Sequence, residues 1–225
     1  MPGIAGIIGK AARGRYESEL KLMLDCTMHE SFYRKGFYTN KDLGVYVGWT
    51  CHPGSYADCM PVINERKDLI LLFTGENFSG LTDGKSERAS GLLRQYEIVG
   101  EKFLRGLNGW FSGLLVDLRT GNILLFNDRY GMQRVYYYEG ESEFLFGSEA
   151  KSLLKVRPEL RRLDTQAVGE LISCNCVLNN RTLFQKISVL PGGSAWTWDK
   201  RGELCKNIYF QAIELFNKME KVKRK

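Results

Sequence analysis

The first nine residues place the strongest constraint on the fold. They form an apolar run that is rich in glycine and β-branched side chains, Met1-Pro2-Gly3-Ile4-Ala5-Gly6-Ile7-Ile8-Gly9. Such a run predicts a short buried strand whose glycines permit close approach of neighbouring backbones. It is too short to cross a membrane and lacks the layout of a secretory signal. We therefore expect the chain to lead with a core strand.

Composition excludes several classes of protein. The chain has 225 residues, of which 44% are hydrophobic and 26% charged, as is ordinary for a soluble globular domain. Its net charge is +6, but residues 218–225 alone carry five basic side chains and one acid. The surplus elsewhere is too small to indicate a nucleic acid partner, and no membrane segment is predicted. The basic end is interpreted as a solvated tail or linker.

The six cysteines lack the spacing of a metal site. They are Cys26, Cys51, Cys59, Cys174, Cys176 and Cys205, in a chain that contains only two histidines. Zinc ligands recur at characteristic short spacings that these residues do not show. We therefore predict no metal, buried free thiols, and the reducing environment of the cytoplasm.

Short motifs along the chain resemble one family in the order in which they occur. The opening Gly3-Ile4-Ala5-Gly6-Ile7 is similar to that of class II glutamine amidotransferase (glutaminase) domains, above all those of the asparagine synthetase family. Further similarities are Leu107-Asn108-Gly109-Trp110-Phe111, Asp128-Arg129-Tyr130-Gly131 and Leu190-Pro191-Gly192-Gly193. The resemblance implies an α+β fold of the Ntn-hydrolase type, a four-layer αββα sandwich of two stacked antiparallel sheets. It also implies a glutaminase-like domain over residues 1–208.

The residues that the family's chemistry needs are replaced. In the family an amino-terminal Cys attacks the glutamine amide with its own α-amine as the base; here that position is Pro2. An Arg that clamps the substrate carboxylate is replaced in the region of Thr50 and Cys51. An Asn that completes the oxyanion hole is replaced by Thr74, ahead of Gly75 and Glu76, which match. An Asp that binds the substrate amine is missing from residues 85–87.

These replacements predict no catalytic residue and a vestigial glutamine pocket. The pocket residues are Pro2, Thr50, Cys51, Thr74, Gly75 and Glu76. The expected function is a degenerate, inactive glutaminase domain of an asparagine-synthetase-like, ATP-dependent amidotransferase or ligase, retained for structure. A non-enzymatic interaction or dimerisation module of the same fold is one alternative. An enzyme that uses the Pro2 amine as a base is another, although the sequence indicates no carboxylate-binding cation beside it.

The resemblance also carries expectations about partners and cofactors. Residues 209–225 would be a charged linker or tail toward a missing synthetase domain, and only that domain would bind ATP and Mg²⁺. No cofactor is expected in this chain, and a homodimer is possible. Residues 79–86 come close to a phosphate-binding loop, but Ser79 stands where the first glycine is required, so nucleotide binding is not predicted.

Overall fold

A computed structural model describes residues 2–9, 14–79 and 85–214, with the backbone alone for 85–88. In chain order the strands are β1 Gly3–Gly9, β2 Arg34–Asn40, β3 Val45–Cys51, β4 Val62–Ile63, β5 Leu69–Asn77, β6 Gly109–Asp117, β7 Asn122–Asn127, β8 Tyr136–Glu139, β9 Glu143–Gly147, β10 Ser188–Val189, β11 Ser194–Trp198 and β12 Leu204–Ile208. The α-helices are α1 Arg15–Asp25, α2 Lys85–Val99, α3 Ala150–Val156 and α4 Thr165–Cys174. Short 3-10 turns cover Tyr56–Cys59, Gly100–Gly106 and Pro158–Leu160.

The strands form two antiparallel six-stranded sheets. The first sheet has the order β10-β8-β9-β1-β3-β2, and the second has the order β12-β11-β7-β6-β5-β4. Their inner faces pack on each other: the ring of Phe144 in the first sheet lies 4.8 Å from that of Trp198 in the second. Helices α1 and α3 cover the outer face of the first sheet, and α2 packs against the second. This arrangement confirms the predicted α+β, four-layer sandwich.

Strand β1 lies in the middle of the first sheet, between β9 and β3. A Cβ atom at Gly6 would lie 2.4 Å from the ring of Phe146, closer than real Cβ contacts allow. The glycine therefore lets the aromatic ring of the neighbouring strand cross the backbone, as the opening sequence predicts. The apolar side chains Ile4 and Ile8 point into the core between the sheets, whereas Ile7 points toward α1 and α3.

Some boundaries and burial states differ from the sequence-based expectations. The helical spacing of Leu20, Leu24 and Met28 predicts a helix over residues 17–29, but α1 ends at Asp25. The apolar run predicts a strand over residues 68–74, but β5 runs on to Asn77. The prediction of buried thiols is wrong for Cys174, Cys176 and Cys205, which are exposed. Cys174 is the last residue of α4, which buries only Ala167, and Cys176 follows two residues later. Cys205 lies on the edge strand β12.

Two features are absent from the described part of the chain. None of its helices is both long and apolar enough to cross a membrane. It contains no group of three or more His, Cys, Asp or Glu side chains that could hold a metal ion. The tail from residue 215 and residues 80–84, most of the segment that comes close to a phosphate-binding loop, lie outside the described residues.

Candidate functional site

The candidate site lies at one end of the sandwich, where several strands of the first sheet begin or end together. Strand β1 begins at Gly3, opposite Thr50 near the end of β3, and Ala5 pairs with Gly147 at the end of β9. Continued by one residue beyond this pair, the same antiparallel register places Cys51 opposite Pro2. Pro2 is half-buried and precedes the first paired residue of β1. Two members of the predicted pocket therefore meet at this edge.

The backbone that follows Pro2 is held by side chains from both neighbouring strands. The amide of Gly3 donates to Thr50 Oγ1 at 3.2 Å, and the amide of Ile4 donates to Ser148 Oγ at 2.9 Å. The side-chain amide of Gln133 reaches the Pro2 carbonyl at 3.4 Å from the loop after β7. Thr50 is therefore a support for the β1 backbone, and its hydroxyl is already engaged.

The predicted oxyanion residues, Thr74 and Gly75, lie near the end of β5 in the second sheet. Thr74 is 1% exposed, and its hydroxyl lies 3.1 Å from Ser112 Oγ and 3.4 Å from the Ser112 carbonyl. Gly75 has a φ of 97°, and a Cβ there would lie 2.1 Å from the carbonyl oxygen of Trp110. Only glycine fits this position, whereas the Thr74 hydroxyl is turned into the interior between two strands. Glu76 pairs with Trp110 and is half-buried.

Cys51 is the last residue of β3, and its environment is unsuited to nucleophilic attack. It is 1% exposed, and its Sγ lies 3.9 Å from Asp58 Oδ1. Burial, followed by the negative charge of Asp58, raises the pKa of the Cys51 thiol to about 11. The reactive thiolate is therefore scarce at neutral pH.

This environment yields a prediction on thiol reactivity. At pH 8 we expect N-ethylmaleimide to alkylate Cys51 at least about 100 times more slowly than the exposed Cys205, because both the thiolate fraction and access are low. Peptide mass spectrometry over a time course measures both rates in one sample. Equal rates would contradict the buried, protonated state of Cys51.

A loop between α1 and β2 crosses the first sheet at the Pro2 edge. His29 Nε2 lies 2.7 Å from Glu149 Oε1, next to the end of β9, and Tyr33 packs edge-on against His52, after the end of β3. Burial would raise the pKa of Glu149, but hydrogen bonds from His29 and Lys151 hold it below its usual value. His52 is stacked among aromatic rings, so it does not replace the missing carboxylate clamp.

Pro2 lies on the wall of a cavity of about 430 Å³. Arg134 and Lys151 line the same cavity. The expectation that no carboxylate-binding cation lies beside Pro2 is therefore wrong, because the loop before β8 and helix α3, which are remote from Pro2 in sequence, place both cations on the wall of its cavity. The predicted amine-binding region, residues 85–87, has side chains outside the described part of the structure.

Asp128 supports the site, although the sequence alone indicated no role for it. Its side chain is fully buried and accepts hydrogen bonds from the backbone amides of Phe111, Tyr130, Met132 and Gln133, at 3.3, 3.0, 3.0 and 2.8 Å. The carboxylate thus fixes the loop that carries Gln133 to Pro2. The Asp-Arg-x-Gly motif was the available signal, but a motif alone does not show which amides the carboxylate binds.

Comparisons with known proteins agree with this fold. A family model described as a glutamine amidotransferase domain matches residues 1–210. Asparagine synthetase [glutamine-hydrolyzing] 1 of Bacillus subtilis is 23% identical over 230 residues, covering 94% of this chain and 36% of that protein. A putative asparagine synthetase [glutamine-hydrolyzing] 2 of Methanocaldococcus jannaschii is 30% identical over 101 residues, 41% of this chain and 20% of that protein. The chain thus spans little more than a third of these relatives at most.

A solved structure shares the fold at low sequence identity. Glutamine phosphoribosylpyrophosphate amidotransferase from B. subtilis superposes with a TM-score of 0.61 at 11% identity. The superposition covers 92% of this chain and 49% of that one. At this identity the likeness concerns the arrangement of the two sheets and their helices.

Proposed function

Because this chain belongs to the glutamine amidotransferase domain family, we propose that it is a degenerate glutaminase domain that no longer hydrolyses glutamine and is retained for structure. One observation carries the proposal: Pro2 precedes the central strand β1, at the edge where the family places its nucleophile. Proline offers no side-chain nucleophile. Removal of a nucleophile can lower the rate of an enzyme by a factor on the order of a million.

The remaining pocket residues support the same proposal. The hydroxyls of Thr50 and Thr74 are engaged with Gly3 and Ser112 inside the protein. Cys51 is buried and its thiol is held in the protonated form by a raised pKa. Gly75 matches the family's glycine in sequence and has a φ of 97° that favours glycine, so the feature that matches is one that shapes the backbone.

The whole protein is proposed to be an ATP-dependent, asparagine-synthetase-like amidotransferase or ligase of the cytoplasm. The names of the curated relatives support this assignment, and the chain covers only part of their length. Residues 209–225 would lead to a synthetase domain that binds ATP and Mg²⁺. The interaction-module alternative has the same fold but assigns the partner surface to a separate chain or to a second copy of this one.

A glutaminase assay tests the central claim. We expect the purified 225-residue chain in millimolar glutamine to release no glutamate above a heat-denatured sample over several hours. The variants Pro2→Cys and Pro2→Cys/Thr74→Asn restore first the nucleophile and then the side-chain oxyanion donor. We expect the double variant to exceed the single one, by about 100-fold if the donor reaches its place.

The assay also has a decisive opposite outcome. Turnover of the natural chain at an ordinary enzymatic rate, about 1 per second or more, would refute the loss of function. In that case the activity of the Cys51→Ser variant would show whether the Cys51 thiol acts as the nucleophile. If the natural chain releases no glutamate and the Pro2→Cys variant does, the loss of glutaminase activity is due to residue 2 alone.

A further inference from the structure

A second cavity lies next to the one that contains Pro2. Its volume is about 470 Å³, within the usual range of small-molecule sites, and it lies between the end of α4, the segment that follows it, and strands β8 and β10. Apolar side chains form slightly more than half of its wall, among them Leu171, Val177, Leu183, Phe184 and Val189, and the polar residues of the wall include Asn175, Asn179 and Thr182. A ligand that fills it therefore needs an apolar body.

One charged group on this wall is available to a ligand. Arg181 already pairs with Glu170. Within the described residues, the guanidinium of Arg134 and the hydroxyl of Tyr136 have neither a hydrogen bond nor an ion pair. Both residues also line the cavity of Pro2, so they stand at the boundary between the two cavities. Both unpaired donors therefore belong to the part of the wall that the two cavities share.

We propose that this cavity binds a small organic monoanion with an apolar body, such as a medium-chain or aromatic carboxylate. The carboxylate would lie on Arg134 and Tyr136, because a guanidinium can donate to both carboxylate oxygens at once. The apolar body would displace water from Leu171, Val177 and Leu183. The single unpaired cation on the wall matches a single negative charge.

Calorimetric titration of the full 225-residue chain with sodium hexanoate tests the proposal. Saturable binding is expected, with at least tenfold weaker binding of hexanamide, which has the same carbon chain but no charge. The variant Arg134→Gln should weaken hexanoate binding by about 10- to 100-fold, the effect of losing a charged hydrogen bond. Arg161→Gln is the matched control, because Arg161 is exposed and lies outside the cavity wall; it should bind like the natural chain.

Alkylation of cysteines locates the ligand independently. Cys176 lines the cavity, whereas Cys174 and Cys205 are also exposed but do not line it. Saturating hexanoate should slow the reaction of N-ethylmaleimide with Cys176 at least threefold and leave the other two rates unchanged. Equal slowing of all three thiols would overturn the assignment.

Two other outcomes would also overturn it. Unchanged hexanoate binding in Arg134→Gln would show that the guanidinium does not bind the carboxylate. Inorganic phosphate that binds as tightly as hexanoate would show that the apolar body of the ligand does not contribute to binding. None of these measurements involves glutamine, so their result is separate from that of the glutaminase assay. The two proposals can therefore fail independently.

Discussion

Replacement of Arg157 by Ala should lower the free energy of unfolding by about 3–5 kcal/mol, because two partly buried carboxylates lose their partner. Arg157 follows α3, and its side chain is only 8% exposed. Its guanidinium binds both oxygens of Glu143 at 2.6 Å and both oxygens of Glu19 at 2.9 and 3.0 Å. These bonds connect α1, β9 and α3 on the outer face of the first sheet. Urea denaturation measures the loss.

Arg15→Ala is the matched control within the same cluster. Arg15 also contacts Glu19, at 3.0 Å, and Glu143, at 3.7 Å, but its side chain is 51% exposed. An exposed ion pair contributes little, so a loss below about 1 kcal/mol is expected. Equal losses in the two variants would contradict the view that burial makes the Arg157 contacts important.

The pH dependence of this difference has a definite sign. Burial would raise the pKa of Glu143, but hydrogen bonds from Arg157 and Tyr16 outweigh it and hold the pKa below its ordinary value. The stabilisation is therefore complete above the unfolded-state pKa of about 4.3, and it is lost as the pH falls through the lower folded-state pKa. The gap between Arg157→Ala and the natural chain should be larger at pH 7 than at pH 3.5.

The sandwich was predictable from the sequence wherever a local pattern carries the information. The apolar opening predicts a buried strand, and its glycines predict the close approach that Gly6 makes to Phe146. The residue types that form turns and strands recur in the family's order, and the αββα layers follow from that resemblance. Helix ends were less predictable: α1 ends at Asp25, before the predicted His29, because its apolar spacing continues beyond the backbone hydrogen bonds.

The candidate site was predictable by residue type and not by contact. Pro2 and Gly75 could be singled out because proline lacks a nucleophile and glycine permits the required φ. The hydrogen bond of Thr50 to Gly3 and the approach of Arg134 to Pro2 join segments far apart in the chain. No local periodicity encodes such contacts, since they depend on strand order and register. The same holds for Arg157 and Glu19, which are 138 residues apart.

The residues that match the family and the residues that differ from it have different physical roles. Gly75 and Asp128 set backbone geometry, and their replacement would disturb the fold itself. A nucleophile or a carboxylate clamp contributes little to folding, so it can be lost without a penalty in stability. Under the proposed function, a domain selected for its shape alone would keep the first group and lose the second, and Pro2 and Thr74 fit that expectation.

Replacement of Asp128 by Asn tests directly whether a residue that sets backbone geometry also stabilises the fold. It should lower the free energy of unfolding by about 2–4 kcal/mol. The Asp128 carboxylate is fully buried and accepts only from backbone amides. The variant keeps the shape of the side chain but turns one acceptor oxygen into an NH₂ donor. That donor would face either the amides of Tyr130 and Met132 or those of Phe111 and Gln133, and buried donors without acceptors each cost about 1–3 kcal/mol.

Asp199→Asn is the control for the same chemical change. Asp199 accepts from the amides of Arg201 and Glu203 in an exposed turn, where water can replace a lost bond, so a loss below about 1 kcal/mol is expected. Urea denaturation gives both values. Hydrogen exchange should also accelerate at residues 130–133 in Asp128→Asn while the amides of β1 remain protected. Because Arg134 directly follows this loop, the folded variant should bind hexanoate more weakly, whereas unchanged exchange and stability would show that the loop is held without Asp128.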